Sequence, residues 1–540
     1  MDAITLTLRN GRVLTLDPDR PRAEAVAVSG ERIVAVGSDA EIAALQTAHT
    51  REVDMAGSTL VPGFIDSHLH LIEGGRTLIE LRLRDCGSPA ELEELLRAAA
   101  AEKEPGEWII GQGWDDPVLP SDQQPHRAIL DGIVPHHPVV LVRLDGHSAW
   151  LNSAAVEAMK VARFTSISDE EIPRDADGMP TGMLYERGSM QILTRLRFKL
   201  SRAYLERAAR EALAQFVRSG LTMVHDVITA DPRDFWLYRR LLRAGDLPLR
   251  IIASPYGPLP ISTASFVPLR LFDSPMLRVG PTKYLLDGSF GSSTALLSEP
   301  YADDLEGTNI GLQTLSDSRL ERIFERSLRS RRPVVLHTIG DRAVELAVTA
   351  MEKARARYDD DRDVRNRLEH VQIVDPAIIP RFKAAGLIAS LQPNFLYENR
   401  MTIQRLGQAR SERCYPYRSF LDAGVPVILS SDWAFGGGGF PLRPDGTRYE
   451  SFEPLLGIYA AVDRLGFDPA QALTVEEALA AYTRDAAWAH YREAELGTIT
   501  PGKLADLALL SQDITTIPTA AILETEVRMT VVGGRIVFAA

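Results

Sequence analysis

Leu60-Val61-Pro62-Gly63-Phe64-Ile65-Asp66-Ser67-His68-Leu69-His70 begins as a short apolar run and ends in His-x-His. On a strand, alternate side chains share a face, so His68 and His70 project the same way, about 7 Å apart. Two imidazoles so placed can grip one metal ion. Alone, such a pair reads equally well as two polar residues at a strand end. Later apolar runs tip the balance, because they also carry ligand-type residues: Lys283, His337, His370 and Asp432. Repeated placement of that kind is hard to explain as core filling.

Outward from this stretch, short strand-like runs recur at 60–68, 221–226, 249–255, 282–287, 333–338, 367–372, 387–392 and 426–431. Helical stretches at 204–219, 320–330, 343–357 and 376–385 lie between them. This alternation is the sign of a parallel α/β domain. Eight such units predict a (β/α)8 TIM-like barrel, whose site is built at the C-terminal strand ends. The interval 76–200 is too long for one unit. It reads as an insertion after the first barrel strand, helical at 90–104 and strand-like at 108–111 and 139–143.

The two ends of the chain look different. Residues 4–8 and 12–16 alternate around Asn10-Gly11, which predicts a hairpin. A second pair surrounds Gly30-Glu31, and near the C-terminus 529–532 and 535–538 flank Gly533-Gly534. Neither end has enough strands to bury a face alone. Both are therefore expected to meet in one discontinuous β-sandwich, formed by 1–59 and 491–540. Residues 60–75 and 201–490 would form the barrel, and 76–200 a lid over its mouth.

The bulk properties narrow the partners. A length of 540 residues exceeds one ordinary core. Apolar content of 45% and charged content of 25% are those of a soluble globular protein. A net charge of -13 argues against nucleic acid and anionic membrane, leaving a small-molecule substrate. Two distant cysteines, Cys86 and Cys414, fit a reducing cytosol. The N-terminus lacks the basic and apolar regions of a signal peptide, and no apolar run reaches membrane-spanning length. A cytoplasmic location is expected. Gly436-Gly437-Gly438-Gly439 lacks the Gly-Lys-Ser/Thr of a phosphate loop, so nucleotide binding is not.

In a barrel, His68, His70, Lys283, His337, His370 and Asp432 converge on one mouth. Three or four histidines with a carboxylate suit Zn²⁺ or a similar divalent ion. Lys283 either reaches out to solvent or is buried, in which case its amine is depressed in pKa and can add CO₂. The resulting carbamate has two oxygens that can bridge two metals. Asp432 is a cap or loop residue, or else a ligand and general base. The apolar run before it favours the latter, because a carboxylate there is costly without a partner.

With Lys283-Tyr284-Leu285-Leu286-Asp287-Gly288-Ser289, His337-Thr338-Ile339-Gly340-Asp341-Arg342-Ala343, Glu369-His370, Ser431-Asp432-Trp433 and Gly497-Thr498-Ile499-Thr500-Pro501-Gly502-Lys503-Leu504-Ala505-Asp506 added to the opening stretch, the chain resembles the amidohydrolase superfamily. The resemblance is to its family 3, the branch of large metal-dependent hydrolases that includes N-substituted formamide deformylase. It implies a barrel with a composite β-sandwich. It also implies that His68 and His70 bind one metal, that His337 and His370 bind the other, and that carboxylated Lys283 bridges them. Asp432 would bind metal and shuttle the proton. One or two ions are expected, zinc first among Zn, Mn, Fe and Ni.

Five further residues are candidate substrate contacts: His147 and Trp114 in the insertion, His225, Gln392 and Asn394. Packing or second-layer roles compete at each. Asp341 reads as a helix cap. His126, His136 and His137 read as surface or structural residues, and neither cysteine carries a nucleophile signature. The function expected is hydrolysis of an amide, N-substituted formamide or cyclic amide by a metal-activated hydroxide, with Asp432 as base and then acid. The same groups also suit deamination, ester hydrolysis or decarboxylation. A non-catalytic, regulatory metal protein is the remaining alternative. Size and family leave a homodimer open.

Overall fold

A computed structural model describes residues 3–540 apart from 84–85, 115–118, 120–123, 144–147, 165–166, 230, 258–271, 359–362, 436–438 and 444. The chain divides into two compact units, Met1–Leu71 with Leu213–Ala540, and Ile72–Ala212.

Gly63 splits the opening apolar run. Thr59–Pro62 pairs antiparallel with Leu507–Leu510, while Phe64–Leu69 pairs parallel with Leu221–Thr229. A Cβ at Gly63 would lie 2.2 Å from the Thr222 side chain, so the neighbouring strand requires glycine here. Thr59–Pro62 sits within a six-stranded sheet that also takes Arg12–Leu14 and Arg22–Ala23 from the N-terminal region and Val527–Val532 and Arg535–Ala539 from the C-terminal region. A four-stranded sheet of Arg32–Gly37, Ala25–Ser29, Leu6–Arg9 and Arg51–Asp54 shares its core, which includes Leu8, Val28, Leu60, Leu507 and Val531.

One predicted hairpin is not formed. Leu6–Arg9 and Arg12–Leu14 join different sheets, so Asn10-Gly11 is a corner between them, with Asn10 at φ 58. Local turn chemistry permits the reversal but does not choose the partner strand. The pairs flanking Gly30 and Gly533-Gly534 do form, and these three glycines all adopt positive φ as tight turns demand.

All eight anticipated parallel strands are present, and Leu277–Val279 is an additional short one. Among the described residues they form two ladders rather than one closed ring. One ladder runs Leu277–Val279, Arg250–Pro255, Leu221–Thr229, Phe64–Leu69. The other runs Thr282–Leu285, Val334–Thr338, Arg367–His370, Ile388–Leu391, Val427–Leu429. Isolated parallel bridges, Tyr256 with Lys283 and Leu69 with Trp433, link the two. Each interruption has a local cause. Pro281 has no N–H to continue a ladder. Asp432 at φ 54 has left the extended conformation.

Arg250–Pro255, Arg367–His370 and Ile388–Leu391 are buried along their length, as parallel strands between helices must be, whereas Thr282–Leu285 buries only Lys283 fully. Helices cover them through amphipathic faces. Asp317–Ser330 buries Leu320, Ile323, Phe324 and Leu328, a spacing of three and four residues. Asp341 is the first residue of Asp341–Tyr358 and accepts from the Ser298 backbone N–H at 2.9 Å, so it pins a loop to the helix start.

The second unit holds a five-stranded sheet of Met183–Tyr185, Ser148–Leu151, Val139–Arg143, Ile109–Trp114 and Leu81–Arg82. Helix Pro89–Ala101 packs Leu92 and Leu96 into its core. Among the described residues, no helix is long and apolar enough to cross a membrane.

Candidate metal centre

Four histidines and a carboxylate gather at the C-terminal ends of the parallel strands. His68 Nε2 is 3.4 Å and His70 Nε2 3.1 Å from Asp432 Oδ1, and His370 Nδ1 is 3.7 Å from Asp432 Oδ2. The His337 and His370 rings lie 4.3 Å apart between centroids, and the His68 and His370 rings 4.9 Å. His68, His370 and Asp432 offer ligand atoms all within 4.8 Å of one another. Two of the positions that build the cluster, His370 at φ 73 and Asp432 at φ 54, hold left-handed backbone that non-glycine residues avoid.

The donor set fits a divalent ion. Ligand atoms at ~2.0–2.1 Å from a tetrahedral zinc stand about 3.3 Å apart. The separations around Asp432, from 3.1 to 3.7 Å, bracket that value. His370 Nδ1 and Lys283 Nζ are buried without a hydrogen-bond partner, which is costly unless something else binds them. His337 Nε2 donates to the Gly288 carbonyl at 2.9 Å, leaving its Nδ1 free as a ligand atom.

Burial keeps the His68, His337 and His370 imidazoles neutral. It pushes His68 and His370 well below the usual histidine range and His337 down to about 3, and neighbouring cationic groups add to the effect. Neutral imidazole is the form that binds metal. Burial likewise lowers Lys283 to about 8, although the nearby Glu369 and Asp432 carboxylates pull the other way.

A second layer fixes these ligands. Asp66 accepts from the backbone N–H groups of His68 at 3.0 Å and Ser431 at 3.2 Å, and burial raises its carboxyl to about 7. It thereby ties the strand bearing His68 to the segment bearing Asp432. Asp287, also raised to about 7 by burial, accepts from the N–H groups of Leu296, Ile339 and Gly340. His68 Nδ1 contacts Glu369 Oε2, and Glu369 Oε1 accepts from Arg367 Nε at 2.9 Å.

Glu369 and Arg367 escaped assignment from sequence. The signal was their shared parity on a buried strand, which puts both on one face. The remaining candidates fall elsewhere. His225 is fully buried and bonded to Ser254 Oγ at 2.6 Å and to Arg367. Gln392 donates to Ser430 Oγ and Asn394 to the Ser451 carbonyl, not to the histidine cluster. Trp114 is core packing in the second unit, with Nε1 bonded to the Leu141 carbonyl and its ring against Trp150. His147 lies outside the described residues.

The buried His68/His370/Asp432 cluster at the strand ends is a candidate site for a divalent ion. Residues 51–538 match the amidohydrolase family, and the chain belongs to it. It is 30% identical to Protein LONG AFTER FAR-RED 3 of Arabidopsis thaliana, over 94% of this chain and 87% of that protein. It is 28% identical to N-substituted formamide deformylase of Arthrobacter pascens, over 98% of this chain and 97% of that enzyme. An uncharacterized metal-dependent hydrolase from Pyrococcus furiosus superposes with a TM-score of 0.77 at 26% identity, covering 95% of this chain and 100% of that one. The protein is a metal-dependent amidohydrolase with the α/β fold of these relatives.

Proposed function

We propose that the enzyme hydrolyses a non-peptide C–N bond in a small amide, N-substituted formamide or cyclic amide, with Asp432 as general base and then general acid. The observation that carries this is the convergence of three imidazole nitrogens on the two oxygens of a buried Asp432. His68, His70 and Asp432 would hold one divalent ion, zinc first among the candidates. His337 and His370 would hold a second, with carboxylated Lys283 between them. The bound metal supplies a more acidic water and an electrophile for the carbonyl oxygen.

The rest falls to the chain itself. Asp432 accepts the proton of the attacking water as its oxygen bonds to the carbonyl carbon. The C–N bond then breaks, and the same carboxyl returns the proton to the leaving nitrogen, so the products are a carboxylate and an amine. Histidines whose lone pairs are given to a metal leave Asp432 as the group placed to carry that proton. The proposal includes closure of the two parallel ladders into a (β/α)8 barrel and selection of the substrate by the inserted unit.

Asp432→Asn tests it. The variant should fold, and its turnover of a hydrolysable amide or formamide should fall by ~10²–10⁴, the usual worth of a positioned proton carrier. Full turnover in that variant rejects the role. A panel that also contains esters and aminated heterocycles separates amide hydrolysis from ester hydrolysis and deamination.

A further inference from the structure

We propose that Arg367, acting through Glu369, locks the tautomer of His68, keeping its proton on Nδ1 so that Nε2 presents a lone pair to the metal. Both are positioning residues, since neither touches the reacting atoms. The inference rests on His68 being a metal ligand.

The hydrogen-bond bookkeeping leaves little freedom. A guanidinium has donors only. Arg367 Nε therefore takes Glu369 Oε1 as acceptor, at 2.9 Å. The other carboxylate oxygen, Oε2, meets His68 Nδ1. A carboxylate bonded in this way offers acceptors, so Nδ1 must be the donor and Nε2 is left bare. That bare nitrogen faces Asp432 at 3.4 Å.

Arg367 cannot turn away. It is 1% exposed. Its Nη2 reaches the Ser67 carbonyl at 3.0 Å and His225 Nδ1 at 3.2 Å, and its Nη1 reaches His490 Nε2 at 3.2 Å. Both imidazole nitrogens must accept, which leaves His225 Nε2–H to donate to Ser254 Oγ. Ser67 directly precedes His68, so the same guanidinium also holds the strand that carries the ligand.

The lock makes a counter-intuitive prediction for Glu369→Gln, a substitution of nearly equal size. Arg367 still needs an acceptor, so the amide oxygen turns toward it and the amide NH₂ faces His68. Nδ1 must then accept, the proton moves to Nε2, and it points at the metal position. Zn²⁺ affinity, measured by chelator competition, should fall ~10–100-fold. Removing the arginine as well frees the amide to rotate. The double variant Arg367→Met/Glu369→Gln should therefore bind Zn²⁺ several-fold more tightly than Glu369→Gln alone. A pair with a merely structural role would give a double variant weaker than either single one.

Nitrogen spectra of ¹⁵N-histidine-labelled, metal-free protein read the tautomer directly, without recourse to activity. His68 should be in the Nδ1–H form in the wild type and the Nε2–H form in Glu369→Gln. An Nε2–H tautomer in the wild type overturns the inference. So does a Glu369→Gln affinity within twofold of wild type, or a double variant weaker than Glu369→Gln. Failure of the wild type to bind any metal would instead reject His68 as a ligand, while the tautomer spectrum would still decide the lock.

Discussion

Lys283 supplies a prediction whose size follows from its surroundings. Its Nζ is buried, has no hydrogen-bond partner, and is lowered by burial to about 8. Only the neutral amine adds CO₂. At pH 7 a lysine with a pKa of about 8 is roughly 9% neutral, against roughly 0.04% for an ordinary lysine near 10.4, a difference of roughly 200-fold. A depressed lysine gains its reactive form as pH rises and saturates above its own pKa. At fixed dissolved CO₂, carbamate formation in metal-free protein should rise roughly ninefold from pH 6 to 7 and roughly fivefold from pH 7 to 8, then less than twofold beyond pH 8. Carbon NMR with ¹³C-labelled CO₂ follows the reaction, and subtraction of the Lys283→Met signal removes the surface lysines. A rate that climbs about tenfold per unit to pH 10 would refute the reasoning, as would an equal signal from Lys283→Met.

Other perturbations probe different parts of the frame. The Arg250–Asp506 pair is bidentate at 2.7 and 2.8 Å, with both side chains 3% exposed. Arg250→Met alone should cost about 3–5 kcal/mol in thermal or denaturant unfolding, and Arg250→Met with Asp506→Leu should recover most of it. A loss below about 1 kcal/mol from the single change contradicts this. Gly340→Ala would put a Cβ 1.9 Å from the Leu296 carbonyl oxygen, three residues after His337. It should destabilise by about 1–3 kcal/mol and weaken metal retention, as judged by unfolding midpoint and metal content. Dialysis against a chelator should abolish turnover and added Zn²⁺ or Mn²⁺ should restore it. Elemental analysis of untreated protein near one or two equivalents then distinguishes a mononuclear from a binuclear centre.

The positions of the parallel strands were legible because each is a short apolar run between helical stretches. Their interruptions were less so. Leu277–Val279 is only three residues long and is cut off by Gly280-Pro281, so no periodicity marks it. The break at Gly63 depends on Thr222, a neighbour that one strand cannot reveal. At Asn10-Gly11 the turn was visible, but the sheet each flanking strand joins is set by burial against distant strands. The clustered histidines and Asp432 stood out because ligand-type residues at apolar strand ends are unusual. Glu369 did not, because its partner His68 lies 301 residues away in sequence and only the fold brings them together.

The six-stranded sheet has a consequence for biosynthesis. Thr59–Pro62 acquires its antiparallel neighbour Leu507–Leu510 only after on the order of 400 further residues have been made. At ~5–20 residues per second, its unpaired edge waits for roughly 20–90 s on the ribosome. During that time Leu60, fully buried in the finished protein, lacks the part of its core that Leu507, Leu509 and Val531 supply. The nascent chain is then most exposed to edge-to-edge association and to chaperone capture, and slower translation of the segment between Pro62 and Leu507 should lower soluble yield more than equally slowed translation before Thr59.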